Sequence, residues 1–417
     1  MVNNFTINKI LNSKTYKLQY FGPSALDENG NIMPFNEQMA FITHYIQNRV
    51  DIKKLSYSKK AISLLRDVYD INESHSDNCV TDFCYQYNIF NEIENPTFKA
   101  RLNPTFKFID LFAGIGGFRI AFQNVGGKCV FSSEWDVQAQ KTYFENFGEV
   151  PFGDITKESI KECIPSKFDV LCGGFPCQAF SIAGYRKGFE DTRGTLFFDI
   201  ATIIERHRPK SFLLENVKNL KSHDKGKTFK IIISTLEDLG YKVFTKVMNS
   251  MEYADIPQNR ERLFIVGFDP KQVKSYDSFV FPSEIPLKKN IHDCIDNSVT
   301  DEQYFYRETQ RYYPILSECM KSHDTVYQWR RHYVRENQSN VCPTLTANMG
   351  TGGHNVPLIL TINGIRKFTP KECLNFQGYP PEYKFAPIAQ SKCYQQAGNS
   401  VTVPLIQRIA QNIIDIL

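Results

Sequence analysis

Short apolar segments alternate with helical segments from Lys107 to about Asp269, and this alternation restricts the fold more than any other feature of the 417-residue sequence. The predicted strands are FKFIDLF, KCVFSSEW, FDVLCGG and KSFLLENV, and the predicted helices include GGFRIAFQNVG, VQAQKTYFENFG and TLFFDIATIIERHRP. Strands that alternate with helices form a mostly parallel sheet covered by helices on both faces. The sequence therefore predicts an α/β fold with a doubly wound sheet.

The chain is long enough for two or three modules, and its pattern changes at three places. Residues 1–103 contain the helical periodicities MPFNEQMAFITHYIQNRV and KKAISLLRDVYDI, which predict a helical N-terminal extension. Residues 104–270 form the predicted α/β domain. Residues 271–390 are richer in turns and aromatic residues and predict a smaller second domain, after which residues 391–417 are expected to return to the first.

Charge and cysteine content narrow the class of protein. A formal net charge of +4 leans towards an anionic partner, although so small an excess does not identify one by itself. The 11 cysteines include no C-x-x-C pair, which favours reduced thiols in a cytosolic enzyme and predicts no metal site. The sequence has neither a secretory start nor an apolar run that could span a bilayer, so the chain is predicted to be soluble and cytoplasmic.

The segment DLFAGIGGFR places glycines between a predicted strand and a predicted helix. Without side chains at Gly114, Gly116 and Gly117, backbone N–H groups can approach a ligand closely. Glu134, at the end of the next strand, can accept hydrogen bonds from ribose hydroxyls. Arg119 stands where the dinucleotide fingerprint needs glycine or alanine. This departure favours a nucleoside without a pyrophosphate, such as S-adenosylmethionine, and glycines that serve only the turn are the alternative.

Chemically active side chains follow other predicted strands. Cys177, in CGGFPCQAFSIAG, comes just past a strand and is held by glycines and Pro176 at the edge where open sheets bind ligands. Glu215 ends another strand and can act as an acid. Arg260 and Arg262 alternate at the start of a strand, where they can fix an anion or lower the pKa of a thiol. Each residue also has a structural alternative: Cys177 could be a buried core residue, Glu215 a helix cap, and the two arginines part of an exposed strand edge.

Taken in order, these segments resemble the DNA cytosine-5 methyltransferase family. The family's blocks appear here as DLFAGIGGFR, EWD, GDI, GGFPCQAFS, DTRGTLFFDI, ENV, QNRERLFIVG, RKFTPKECLNFQGYP and QAGNSVTVPLI, across residues 105–417. The resemblance implies a site-specific enzyme that transfers a methyl group from S-adenosylmethionine to C5 of a cytosine swung out of duplex DNA. It also implies that 104–270 is the catalytic, cofactor-binding domain and 271–390 the target-recognition domain.

The same resemblance implies roles for individual residues. As a thiolate, Cys177 would add to cytosine C6 and make C5 nucleophilic, while Glu215 would contact N3 and the exocyclic amine. Arg260 and Arg262 would support the bound base. The implied cofactor contacts are Phe112, Gly114, Ile115, Gly116, Glu134, Trp135, Asp154, Ile155, Pro176 and Asn399. The implied DNA contacts are Gln178, Ser181, Arg193, Arg330, Arg331, Arg335, Thr344 and Leu345.

The implied partner is double-stranded DNA, bound by a monomer that belongs to a restriction-modification system with a cognate endonuclease for the same site. Two alternatives stay open at this point: a tRNA cytosine-5 methyltransferase, and a DNA-binding regulator that acts through the N-terminal extension. Residues 1–103 lie outside the resemblance. Bracing of the catalytic domain, or an auxiliary DNA contact, is the preferred role for this extension.

Overall fold

The computed structural model describes residues 22–48, 56–69, 96–176, 196–330, 332–337, 339–350 and 356–417. The chain divides into two compact units. Unit 1 comprises Met1–Arg119, Gly126–Phe212 and Lys384–Pro387, and unit 2 comprises Ile120–Val125, Leu213–Tyr383 and Ile388–Leu417. The domain boundaries at 103, 270 and 390 were derived from changes in sequence pattern and stay a prediction.

A six-stranded sheet forms where the sequence alternates strands with helices. Its strands are β1 (Phe106–Leu111), β2 (Gly127–Ser133), β3 (Val170–Gly174), β4 (Ser211–Val217), β5 (Lys242–Asn249) and β7 (Glu261–Phe268). Their order is β2-β1-β3-β4-β7-β5, with β1 parallel to β2 and β3, and β5 antiparallel to β7. The predicted α/β fold is confirmed, and the boundary between the two units falls within β4.

Helices form in the described ranges largely where the periodicity predicts them. They are α1 (Phe35–Asn48), α2 (Ser58–Tyr69), α3 (Gly117–Asn124), α4 (Val137–Phe147), α5 (Glu158–Lys161), α6 (Leu196–His207), α7 (Lys227–Asp238), α8 (Ser250–Tyr253), α9 (Tyr313–Cys319), α10 (Pro370–Asn375), α11 (Gln390–Asn399) and α12 (Val403–Ile414). Short 3-10 helices lie at Pro23–Ala25, Lys218–Lys221, His223–Gly226, Tyr276–Ser278, Ile291–Asp293, Glu302–Tyr304 and Ala347–Gly350. Within these ranges, no helix has the length and apolar character that crossing a membrane requires.

Unit 1 contains β1, β2 and β3 together with helices α1 and α2 of the N-terminal region. Strand β1 lies between β2 and β3 and is buried at five of its six positions, which are those of its four apolar residues and Asp110. Helix α4 begins after Asp136, whose side chain accepts the Gln138 N–H at 2.8 Å, and ends before Gly148 at φ 64°. The polar segment NESHSDN is predicted from its composition to be a loop, and it lies outside the described residues.

Unit 2 contains β5, β7 and most of β4, and a separate antiparallel sheet of order β12-β11-β8-β9. The strands of this sheet are β8 (Tyr327–Arg330), β9 (Tyr333–Glu336), β11 (Leu358–Thr361) and β12 (Gly364–Lys367), and a third sheet pairs β6 (Gln258–Asn259) with β10 (Cys342–Pro343). A core of Leu316, Met320, Tyr327, Leu358 and Ile365 packs there. The alternation of apolar and polar residues in VYQWRRHYVRENQ predicts a strand, but the segment forms the β8–β9 hairpin, in which residues 333–336 pair antiparallel with residues 327–330.

Candidate functional site

The glycine-rich loop after β1, in unit 1, depends on backbone conformations that favour glycine. Gly114 has φ 54° and Gly116 has φ 82°, and Phe112 also adopts a left-handed φ of 55°. A Cβ on Gly116 would lie 2.2 Å from a ring carbon of Phe147, whereas a Cβ on Gly114 would meet only the Phe112 carbonyl oxygen at 4.0 Å. Packing therefore requires glycine at 116, while the space beside Gly114 is open.

Glu134 lies directly after β2 and is tied to this loop. Its Oε2 atom accepts the Gly114 N–H at 2.8 Å, and its Oε1 atom accepts the Asp136 N–H at 2.8 Å. Burial raises the pKa of the Glu134 carboxyl, which is 8% exposed, and the backbone donors oppose that rise. The N–H of Glu134 donates to the Phe152 carbonyl at 2.8 Å, which brings the GDI segment beside it.

These groups fit the nucleoside part of S-adenosylmethionine. The remaining lone pairs of the Glu134 carboxylate can accept hydrogen bonds from two ribose hydroxyls. Trp135 is 79% exposed and presents an aromatic surface for an adenine ring. Asp154 is half-buried, whereas Ile115 and Ile155 are each 3% exposed, so the two isoleucines can reach a ligand chiefly through their backbone.

Other predicted contacts lie beside an undescribed stretch, in unit 2 or beyond the described residues. Pro176 is exposed and immediately precedes an undescribed stretch, 177–195. Asn399 is exposed at the end of α11, in unit 2. The predicted residues outside the described ranges are Cys177, Gln178, Ser181, Arg193 and Arg331. The roles of all these residues stay predictions.

Glu215 and Arg262 form an ion pair in unit 2. Glu215 lies on β4 and Arg262 on β7, and the arginine Nε lies 3.0 Å from the carboxylate Oε1. The two side chains are 11% and 16% exposed respectively, so water is largely excluded from the pair. The arginine therefore fixes the orientation of the carboxyl group that the sequence predicts to be catalytic.

Arg260 lies between β6 and β7 and belongs to neither strand. It is 2% exposed, and its Nη1 donates to the Leu345 carbonyl at 2.7 Å. Its Nη2 donates to the Ser400 carbonyl at 2.6 Å and to the Gly398 carbonyl at 3.1 Å. Burial lowers the pKa of the guanidinium to about 9. Arg260 thus immediately precedes the strand that carries Arg262, rather than alternating with it on that strand as predicted, and its catalytic role stays a prediction.

A cavity of about 630 Å³ in unit 2 collects polar side chains predicted to face DNA. Its lining consists of Val217, Lys218, Asn219, Asn259, Glu261, Arg262, Gln328, Arg330, Arg335, Asn337, Pro343, Thr344, Thr346 and Asn348. The predicted site residues among them are Arg262, Arg330, Arg335 and Thr344. Gln328 was not predicted, although it alternates with Arg330 along β8, a spacing that puts both on one face of the sheet.

Leu345 differs sharply from its neighbour Thr344. The Thr344 hydroxyl lines the cavity region and donates to the Asn259 carbonyl at 2.6 Å. Leu345 is 0% exposed, and its N–H donates to Gln258 Oε1 at 3.1 Å. Because its side chain is fully buried, Leu345 could reach a duplex only through its backbone, and its DNA contact stays a prediction.

The sequence matches known proteins over most of its length. A family model described as C-5 cytosine-specific DNA methylase matches residues 106–415. The chain belongs to the C-5 cytosine-specific DNA methylase family. The type II methyltransferase M.Bsp6I of Bacillus sp. (strain RFL6) is 50% identical over 307 residues, which cover 73% of this chain and 96% of that protein. The type II methyltransferase M.HpaII of Haemophilus parainfluenzae is 44% identical over 366 residues, which cover 84% of this chain and 98% of that protein.

Solved structures agree on the fold. A mutant of DNMT2 from Spodoptera frugiperda gives a TM-score of 0.57 at 17% identity, covering 74% of this chain and 100% of that one. A putative DNA modification methyltransferase encoded within an Escherichia coli prophage gives a TM-score of 0.53 at 18% identity, covering 75% of this chain and 99% of that one. At these identities the likeness shows the fold alone.

Membership of the family confirms the main function predicted from the sequence. The protein is a DNA (cytosine-5) methyltransferase, and its methyl donor is S-adenosylmethionine. The family description names DNA as the substrate, so the tRNA alternative is not favoured.

Proposed function

We propose that Cys177 is the nucleophile of the transfer and Glu215 its acid, that Arg262 holds Glu215 in position, and that Arg260 supports the surrounding loops. The observation that carries this proposal is the ion pair of 3.0 Å between Glu215 and Arg262 beside a polar cavity that Arg262 lines. A carboxyl group that is fixed and largely removed from water is suited to proton transfer to a bound base.

The proposed steps overcome the weak nucleophilicity of cytosine C5. The Cys177 thiolate forms a bond to C6, the electron pair of the C5–C6 double bond is delocalised towards N3, and Glu215 gives N3 a proton. When bound, S-adenosylmethionine would supply an electrophilic methyl group to C5, and its methyl–sulfur bond would break with the electron pair left on sulfur. A base then removes the C5 proton, the C5–C6 double bond re-forms, and the sulfur of Cys177 leaves with its electron pair. The proton on N3 returns to Glu215.

The proposed cofactor site in unit 1 is supported by the geometry around Glu134. Its carboxylate would accept the ribose hydroxyls, and Trp135 would stack on the adenine. The open space beside Gly114 would admit the ligand against the backbone. The other proposed contacts in the loop, the GDI segment and the turn before Cys177 are Phe112, Ile115, Gly116, Asp154, Ile155 and Pro176. Asn399, in unit 2, is proposed from the family resemblance alone.

Arg330, Arg335 and Thr344 are proposed DNA contacts because they line the cavity of unit 2. Cationic side chains there would neutralise phosphates, and Gln328 would read a base edge beside Arg330. Because C5 of a stacked cytosine is inaccessible, the base must leave the helix to react. Gln178, Ser181, Arg193 and Arg331 complete the proposed set of DNA contacts.

The cellular setting is also part of the proposal. The relatives are named type II methyltransferases, which supports membership of a restriction-modification system and a cognate endonuclease with the same site. We propose that the enzyme acts as a monomer on DNA. A DNA substrate and relatives from bacteria support a cytoplasmic location for the enzyme.

The decisive experiment traps the covalent step on duplex DNA. The wild-type chain and Cys319→Ala, which removes an exposed thiol outside the proposed site, should form a denaturation-resistant adduct with 5-fluorocytosine duplex. Cys177→Ala should form none. Glu215→Gln should lower kcat by about 10²–10⁴-fold at unchanged melting temperature. An adduct that persists in Cys177→Ala would refute the assigned nucleophile. Separately, bisulfite sequencing of DNA from cells that express the protein would identify the modified cytosine.

A further inference from the structure

Helix α1, from the N-terminal extension, lies along the open edge of the six-stranded sheet. Strand β2 is the terminal strand of that sheet. His44 Nε2 accepts the Ser132 N–H at 3.1 Å, and Asn48 Nδ2 donates to the Val130 carbonyl at 3.4 Å. Residues 130 and 132 are two apart, so their backbone groups point the same way, outward from the sheet. Side chains of α1 therefore occupy the hydrogen-bonding positions that a further strand would fill.

The orientation of His44 is set by its second nitrogen. Nδ1 lies 3.0 Å from the Ala40 carbonyl, which can only accept, so Nδ1 carries the proton and Nε2 keeps its lone pair for Ser132. The Ser132 hydroxyl donates to Glu149 Oε1 at 2.8 Å, and that carboxylate pairs with Arg119 at 2.7 Å. His44 is 0% exposed. A neutral acceptor is thereby built into a buried network two residues before Glu134.

A second path leads from α1 to Glu134 itself. Asn36 Nδ2 donates to Gln140 Oε1 at 2.9 Å, and Gln140 Nε2 donates to the Glu134 carbonyl at 2.5 Å. The GDI segment is also reached, because a Cβ on Gly153 would lie 3.3 Å from Glu37 Oε1. Helix α1 thus contacts the strand before Glu134, the Gln140 side chain that holds the Glu134 carbonyl, and the GDI segment beside it.

We propose that helix α1 is a built-in support of the cofactor site, in which His44 and Asn36 are positioning residues that hold Glu134 for the nucleoside of S-adenosylmethionine. This inference rests on the proposed cofactor role of Glu134. It gives the N-terminal extension a function in donor binding. The alignment with M.HpaII covers 84% of this chain, more than the family match over 106–415, so part of the extension recurs in that relative.

The test measures binding of S-adenosylmethionine to the full chain by calorimetry, together with separate KM and kcat values at saturating duplex. His44→Ala should raise the Kd and KM for S-adenosylmethionine about tenfold, because a buried N–H loses its acceptor. The kcat at saturation and the KM for DNA should stay within twofold. His44→Gln should restore most of the affinity, since its amide oxygen can accept the Ser132 N–H. Asn36→Ala removes one hydrogen bond and carries the test should His44→Ala fail to fold.

Two control variants accompany the test. Leu65→Ala distinguishes a positioning role of α1 from a general loss of stability, and Glu134→Gln distinguishes a failure of this inference from a failure of the proposed cofactor site. Leu65→Ala leaves a cavity at a buried position on α2, so it should lower the melting temperature while leaving the Kd for S-adenosylmethionine unchanged. A Kd that rises as much in Leu65→Ala as in His44→Ala would overturn the inference. Glu134→Gln should bind S-adenosylmethionine at least tenfold more weakly. Normal binding by Glu134→Gln refutes the cofactor site, whereas weak binding there with normal binding by both α1 variants refutes only the role of α1.

Discussion

Replacing each of the two arginines near β7 with methionine should affect different properties: Arg260→Met should chiefly lower stability, and Arg262→Met should chiefly lower kcat. In Arg260→Met, the carbonyl oxygens of Leu345, Gly398 and Ser400 lose a charged donor. Each buried carbonyl left without its donor costs about 1 kcal/mol, so the free energy of unfolding should fall by about 3 kcal/mol. The Ser400 carbonyl keeps a long hydrogen bond of 3.4 Å from Gln377, so the loss should not exceed this value. For a domain of this size that is a melting temperature lower by about 6–12 °C.

Arg262→Met breaks this shielded ion pair where it borders the polar cavity, so Glu215 can take a proton or water from the cavity side and the free energy of unfolding should fall by about 1–2 kcal/mol, less than in Arg260→Met. Glu215 then loses the contact that orients it, and kcat should fall about 100-fold. Thermal unfolding and single-turnover methyl transfer at 20 °C measure the two effects independently. If Arg260→Met melted with the wild type while its kcat fell as in Arg262→Met, Arg260 would have to act on the base itself and the positioning role would be wrong.

Three further predictions follow from single residues. Gly116→Ala should lower the free energy of unfolding by about 3 kcal/mol and abolish binding of S-adenosylmethionine, because the added Cβ would lie 2.2 Å from a ring carbon of Phe147. The control Gly226→Ala, at φ 83° with its nearest atom at 3.5 Å, should lower it by only about 1 kcal/mol. Chemical denaturation measures both changes. Arg335→Ala should reduce the slope of log K against log salt by about 1 in a DNA-binding titration, and an unchanged slope would exclude a phosphate contact. Burial holds the pKa of His44 below its usual 6.5; the charge of Arg119 also lowers it, and the charge of Glu149 opposes the shift. The unfolded chain therefore binds a proton at this residue more readily than the folded chain does. Stability should therefore fall as the pH drops below about 6.5, and His44→Gln should lose that dependence while keeping the one due to Glu149 below about 4.5.

The α/β core was predictable because burial leaves a direct mark on sequence. Four of the six residues of β1 are apolar and all four are buried, and the glycine of the motif at position 116 is required by packing against Phe147. The β8–β9 hairpin was not predicted, because alternation persists through a tight turn and gives no sign that the chain reverses.

The candidate site was predictable in its residue types and less so in their roles. Glu134 meets the glycine-rich loop as expected, since both follow neighbouring parallel strands. Arg260 and Arg262 look equivalent two residues apart, yet the partners of Arg260 lie 85 and 140 residues away along the chain. Only the tertiary arrangement of those loops decides that one arginine is buried against carbonyls while the other pairs with Glu215.

Helix α1 illustrates a signal that was present but ambiguous. Asn36, Ala40, His44 and Asn48 are spaced by four, so their side chains form one row along the helix. By periodicity alone such a row suggests a solvent-facing stripe, but 11 of the 14 residues of α1 are buried, and this row is among them. Buried polar side chains need hydrogen-bond partners, and the outer strand of a parallel sheet is where backbone groups lack them. A polar row on an otherwise apolar helix therefore predicts a place against a sheet edge, which is the position from which α1 reaches Glu134.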